Sequence, residues 1–437
     1  MSAAAPRLFT IAPGAPFLPT LAEALVSGRL VPGFDGGDPL ALAGATIYLP
    51  TRRAARELRS VFVGLSGGNS AILPTIRALG EFDEDGAILD GDFSSSLDLE
   101  PPITPLDRLL LLADLVRAWK RRLPAHVAAL YAEDVVMPAS SADAIWHARD
   151  LAGLMDEIET EGADWTKLGD LVSGELAGWW QVTLDFLNIV TEQWPAILAA
   201  RQRSNPAAHR SRLIRLEAER LKRNPPPGPV IAAGSTGSLP ATCELLSVIA
   251  RLERGAVVLP GLDLGMDADS WAAISAQNPE PTILGHPQYG LAKLLRALRA
   301  TRDGVEEIGE LAPAMSARRA CVSEALRPAE TTDAWATGRD LRAEAVSTAL
   351  AEVTLIEAAN ERDEAAAIAI ALREAAGDPE TKVALVTPDR NLARRVSSEL
   401  LRFNVVADDS GGTPLSRTAP AELLTLLLAA VFEPGDP

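Results

Sequence analysis

Two hydrophobic periods alternate along this chain. Residues 7–11, Arg-Leu-Phe-Thr-Ile, form a short apolar run that reads as a strand. Residues 12–16, Ala-Pro-Gly-Ala-Pro, are a breaker-rich loop. Residues 17–25 then carry apolar positions at helical spacing, and Gly28 lies just beyond them as a C-cap. The same order returns at 45–63, with Ala-Thr-Ile-Tyr-Leu as strand, Pro50-Thr51 as turn and 52–63 as helix. Strands alternating with helices predict a parallel, doubly wound α/β sheet.

The period then changes. Thr104-Pro105-Leu106-Asp107 offers an N-cap, a proline at the first helical position and an acid at the third. Helical patterning begins at 106–122 and dominates to about residue 223 without a convincing strand, so this part reads as a large all-helical insertion. Alternation resumes after the stiff breaker Asn224-Pro225-Pro226-Pro227-Gly228. Residues 229–233 and 256–260 read as strands flanking a loop at 234–239 and a helix at 240–252. Residues 265–350 mix helix and loop signals. A third stretch predicts strands at 353–357 and 382–387, each followed by a helix, at 361–376 and 392–403.

Composition and charge narrow the function. The chain has 437 residues, more than one ordinary domain needs, and 47% apolar content supplies real cores. A formal charge of −18 makes it a poor general coat for nucleic acid, because sequence-independent affinity comes from cations on phosphate. Any such contact must be local, and the charge is uneven. Glu81, Asp83, Glu84, Asp85, Asp90, Asp92, Asp98 and Glu100 lie together with no base among them, as an exposed acidic loop. Arg52, Arg53, Arg56 and Arg59 share one helix with only Glu57 opposing them. Residues 201–223 carry Arg201, Arg203, Arg210, Arg212, Arg215, Arg220, Lys222 and Arg223 against Glu217 and Glu219. Each basic patch is either a solvated helix face or a phosphate contact. Cys243 and Cys321 are the only cysteines, which excludes a disulfide scaffold and a thiolate-rich zinc site. No run of about 18 apolar residues predicts a membrane span. Residues 1–7 lack the regions of a signal peptide, so a cytoplasmic location is expected.

The first strand–loop–helix sits where a nucleotide-binding P-loop would sit. That loop needs backbone amides for phosphate, a lysine for charge and a hydroxyl for Mg²⁺. Here it reads Ile-Ala-Pro-Gly-Ala-Pro, and no Gly-Lys dipeptide occurs anywhere in the chain. Leu154-Met155-Asp156-Glu157 imitates the acidic strand of such enzymes. However, Ile145, Ala148, Ala152, Met155 and Ile158 recur at helical spacing and place these acids on a helix face. Asp263, Asp267 and Asp269, and the pair Asp408 and Asp409, are carboxylate groups that no motif pins to a metal. Trp119, Trp146, Trp165, Trp179, Trp180 and Trp194 lie in the helical part and read as core, with base stacking as the sharper reading.

Several phrases resemble one family when taken in order. Residues 45–59, Ala-Thr-Ile-Tyr-Leu-Pro-Thr-Arg-Arg-Ala-Ala-Arg-Glu-Leu-Arg, resemble the segment by which superfamily 1 helicases of the UvrD and RecB type touch single-stranded DNA. Residues 230–263 resemble their next two motifs, and 353–418 the entry to their second RecA-like domain. The phrases at 9–18, 48–56, 232–238 and 409–418 resemble the AddB family of double-strand break repair proteins, in its alphaproteobacterial form.

The resemblance implies a RecA-like domain in two parts, 1–103 and 225–300, around a helical insertion at 104–224. A linker at 301–350 and a partial second RecA-like domain at 351–437 would follow, the chain being the first portion of a larger protein. It implies single-stranded DNA contact by Thr51, Arg52, Arg53 and Arg56. It implies a degenerate nucleotide site at Pro13, Gly14, Ala233 and Gly234, where working helicases have a phosphate loop and acids. The implied partner is the AddA subunit, with broken-end or single-stranded DNA. The implied iron–sulfur cluster belongs to a C-terminal part outside this sequence, leaving no cofactor and no catalytic residue here. An architectural module that docks AddA without touching DNA is the other reading, and an active nucleotide enzyme the third.

Overall fold

The computed structural model describes residues 5–67, 72–79, 99–122, 140–165, 167, 186–336, 339–378 and 381–432. The acidic loop expected at 81–100 lies almost wholly outside them, as do Trp179 and Trp180. The chain folds into two compact units, Met1–Ala351 and Glu352–Pro437.

In the first unit β1 (Leu8–Ile11) leads through α1 (Phe17–Val26) and α2 (Pro39–Ala43) to β2 (Thr46–Leu49), then α3 (Arg52–Leu65) and β3 (Thr75–Ala78). The helices α4 (Pro105–Arg122), α5 (Ser141–Glu161), α6 (Trp194–Arg201) and α7 (Pro206–Arg223) follow. The chain returns to the sheet with β4 (Val230–Ala233), α8 (Pro240–Ile249) and β5 (Gly255–Pro260). It continues through α9 (Ala268–Ser275), α10 (Tyr289–Leu298), β6 (Glu306–Ile308), α11 (Pro313–Ala325) and α12 (Arg339–Leu350). The six strands form an all-parallel sheet in the order β3-β2-β4-β5-β1-β6, consistent with a RecA-like α/β fold.

The inner strands are apolar throughout because both faces of a parallel sheet are covered. Successive side chains go to opposite faces. Phe9, Ile11, Ile47, Leu49, Ile231, Ala233, Ala256 and Val258 pack on one side with Leu21 and Leu25 of α1 and Leu58 and Phe62 of α3. Leu8, Tyr48, Val230, Ala232, Val257 and Leu259 pack on the other with Leu245 and Leu246 of α8 and Leu291, Leu294 and Leu295 of α10. Each wholly buried Leu or Ile contributes roughly 2 kcal/mol by leaving water.

The helices between β3 and β4 have a core of their own, built from Leu112, Val116, Ala148, Leu151, Met155, Ile189 and Trp194. Ser140 starts α5 with a reciprocal cap: its hydroxyl accepts from Asp143 N at 3.2 Å, and its own N–H donates to Asp143 Oδ2 at 2.9 Å. Gly162 ends it at φ 63°, a left-handed C-cap. The sequence pattern assigns everything up to 224 to this helical part. Helix α7, within that stretch, packs Ile214, Ala218 and Leu221 into the sheet core.

Two corrections concern strands. The sequence pattern predicts neither β3 nor β6, and they form the two sheet edges. Conversely, residues 353–357 and 382–387, expected as strands of a second RecA-like domain, carry no ladder. Leu355 is 84% exposed and Val386 93%, with no strand to bond among the described residues of this unit. The second unit instead consists of α13 (Glu361–Ala375), α14 (Arg390–Leu401) and α15 (Ala419–Phe432), with a small core of Ala365, Ala369, Val396 and Leu400.

Candidate nucleic-acid interface and the carboxyl edge of the sheet

All six strands are parallel, so the loops that follow them gather at one edge. Pro50 and Thr51 turn β2 into α3 there. The Thr51 hydroxyl accepts from Ala54 N at 3.1 Å and so caps the helix. This is a structural duty, separate from the DNA contact expected of Thr51. Ala55, Leu58 and Phe62 turn inward, which leaves Arg52, Arg53 and Arg56 exposed over the first turns of α3. A helix start already favours anions through its unbonded N–H groups and dipole. Arg59 differs from them, since its guanidinium donates to the Ile76 carbonyl at 3.1 Å and ties α3 to β3.

The loop after β1 lacks what a phosphate cradle needs. Pro13, Pro16 and Pro19 have no N–H to offer, and Ala15 N already donates to Ala12 O at 3.2 Å. Gly14 sits at φ +95°, and a Cβ added there would lie 3.4 Å from Met315 and 3.5 Å from Leu311. Three residues of this stretch therefore offer no amide, and Met315 and Leu311 border the space beside Gly14. Ala233 is buried and pairs with Val258 in the β4–β5 ladder. Gly234, at φ +76°, lies against Pro50 and Phe17. The four residues expected to form a degenerate site lie on two loops and one strand end of this edge, with Gly234 approaching Phe17 at the start of α1. Pro13 lies against Gly261 of the loop after β5, with Gly14 beside it, while Ala233 and Gly234 belong to β4 and its own loop.

Beside Gly14 lies a cavity of about 360 Å³ that the sequence pattern does not reveal. Its walls are Pro13, Gly14, Gly261, Met266, Pro287, Met315, Val322 and Leu326. The polar groups around it bond to the protein. Asp263 accepts from Gly265 N at 2.9 Å, from Met266 N at 3.0 Å and from the Ser323 hydroxyl. Gln288 donates to Gly261 O at 2.9 Å and accepts from Asp263 N at 3.0 Å. Arg319 pairs with Glu307 at 2.7 Å. The one signal available is the helical spacing of Met315, Val322 and Leu326, within a stretch of mixed pattern.

The remaining candidates have structural partners. Asp267 caps α9 through Ser270 N at 3.0 Å and pairs with Arg327 at 2.7 Å. Asp409 pairs with Arg390 at 2.7 Å. Asp156 lies on α5, as its spacing predicts, and pairs with the buried Arg108 at 2.8 Å. Among the described residues no group of three or more His, Cys, Asp or Glu side chains could hold a metal ion. Trp194 is buried and donates to Asn205 Oδ1 at 3.2 Å, and Trp119 stacks edge-on against Phe186 at 5.0 Å, so both are core. Trp146 is exposed under Arg149.

The basic stretch 201–223 is partly spent on structure. Glu217, buried beneath the sheet, accepts from the Tyr48 hydroxyl and from Arg220 at 2.6 and 2.8 Å, and pairs with Arg77 at 3.4 Å. Burial alone would raise the Glu217 pKa. Arg220, Tyr48 and Arg77 outweigh it and hold the carboxyl below its ordinary value. Burial, then the Glu217 charge, pushes the Tyr48 phenol well above its ordinary range. Arg215 reaches Glu244 at 3.6 Å, while Arg201, Arg203, Arg210, Arg212 and Lys222 remain exposed. No helix among the described residues is long and apolar enough to cross a membrane. No family model and no curated protein matches the chain.

Proposed function

We propose that this chain is a helicase-like module that binds single-stranded DNA and does not turn over nucleotide, serving an AddB-type subunit in double-strand break repair by recombination. The observation that carries it is the placement of Arg52, Arg53 and Arg56, exposed over the capped start of α3 at the carboxyl edge of the sheet. Guanidinium groups bind phosphodiesters as forks, and the helix start adds to their field. Such contacts give sequence-independent affinity that falls with salt. The proline-rich loop, short of donor amides and without a Gly-Lys dipeptide, supports the absence of turnover. In this reading the AddA subunit supplies the motor, and any iron–sulfur cluster belongs to a part of the protein outside this sequence.

The test is anisotropy of a labelled oligothymidylate titrated with the chain at several salt concentrations. Arg52→Ala/Arg53→Ala/Arg56→Ala is expected to weaken binding uniformly across sequences. It should lower the salt slope by about 2, near 0.7 for each phosphate contact. An unchanged affinity would return the module to a purely architectural, AddA-docking role.

A further inference from the structure

The second unit contains a groove built from guanidinium groups. Helices α13 and α14 pack through Ala365, Ala369, Val396 and Leu400. Beside that packed seam lies a cavity of about 300 Å³ whose lining includes Arg362, Arg394, Arg395 and Glu399.

The charges there resolve one by one. Arg395 is held across the helices by Glu361. Glu399 is taken by Arg402 at 2.5 Å. Asp363 accepts from Asn360 at 2.8 Å within the cap of α13. Glu364 stands two residues from Arg362, and positions so spaced do not face each other on a helix. Arg394 donates to the neutral amide oxygen of Asn391 at 2.8 Å. Arg362 and Arg394 thus line one concavity, exposed and without an ion pair among the described residues.

Two unneutralised forks on different helices suit a tetrahedral oxyanion, which offers oxygens in more than one plane. A planar carboxylate is satisfied by one fork alone. We propose that this groove binds a phosphate group, carried by a phosphodiester backbone or by a free phosphate compound. It is a separate site from the α3 arginines and does not depend on them.

The experiment uses the whole chain and an Arg362→Ala/Arg394→Ala variant, with melting curves to check that the fold is kept. Inorganic pyrophosphate binding, read by calorimetry, and oligothymidylate binding, read by anisotropy, form the two arms. A backbone ligand predicts about tenfold weaker oligothymidylate binding in the variant and a salt slope smaller by about 1.4. Loss of pyrophosphate binding with the oligonucleotide unaffected assigns the groove to free phosphate compounds. Arg362→Lys/Arg394→Lys should keep the salt slope and lose part of the affinity, because a point charge replaces a fork. Equal binding of both probes by wild type and the alanine variant overturns the proposal, as does a variant effect confined to a polyglutamate peptide. The Arg52/Arg53/Arg56 variant reports on the other site, so either reading can fail while the other stands.

Discussion

A carboxylate beneath a parallel sheet is costly unless its charge is answered, and Glu217 is answered by Tyr48, Arg220 and Arg77 together. Its folded pKa is lowered, so its contribution to stability is present above the ordinary glutamate value and is lost as pH falls through the folded value. Glu217→Ala removes the buried carboxylate that Arg220 and Arg77 share and is expected to cost roughly 3–5 kcal/mol in urea denaturation at neutral pH. A cost below about 1 kcal/mol would mean that the cluster is decoration. Glu159 carries the opposite sign. Burial raises its pKa, against the Asn205 hydrogen bond at 2.6 Å, so ionising it opposes folding as pH rises. Glu159→Gln keeps an oxygen for Asn205 and should raise the melting temperature at pH 7 but not at pH 4. A melting temperature lowered at both values would refute the assignment.

At the scale of elements, strands whose burial is two-sided are legible in the sequence, and strands completed by distant partners are not. β1, β2, β4 and β5 read as apolar runs because both faces are covered. β6 is Glu-Glu-Ile, and its acids make sense only beside Arg29 at 2.8 Å and Arg319 at 2.7 Å, the first of them hundreds of residues away. β3 carries Arg77, which reaches Glu217 on α7. The segments at 353–357 and 382–387 show the converse, since β propensity without a neighbouring strand forms no ladder. The basic character of α3 is plain in the sequence. The cap is not, because a threonine before a helix looks the same whether it binds a ligand or its own backbone. Thr51→Ala should lower stability by about 1 kcal/mol and fray α3. If hydrogen exchange at Ala54 and its neighbours does not speed up, the cap is not what orders that turn.

At the scale of the molecule, the two units differ in how much they bury. The first has apolar cores on both faces of a six-stranded sheet. Among the described residues the second has a small core of Ala365, Ala369, Val396 and Leu400 with partly buried neighbours, and Leu423, Leu424, Leu426, Leu427 and Phe432 of α15 are exposed. Local stability follows buried apolar contact. Amide exchange in α13–α15 should therefore be faster than in β1, β4 and β5, and denaturant unfolding should show the second unit melting first. A single coincident transition by fluorescence and by exchange would show that the two units share one cooperative fold.

The prolines of the β1 loop also limit redesign. Turning this loop into a phosphate cradle needs amide donors where Pro13, Pro16 and Pro19 now stand. One exchange restores one donor, whereas a cradle needs several amides converging on the same anion. A phosphate site here would therefore require several coordinated substitutions, and a single one should leave phosphate binding at this loop undetectable by calorimetry.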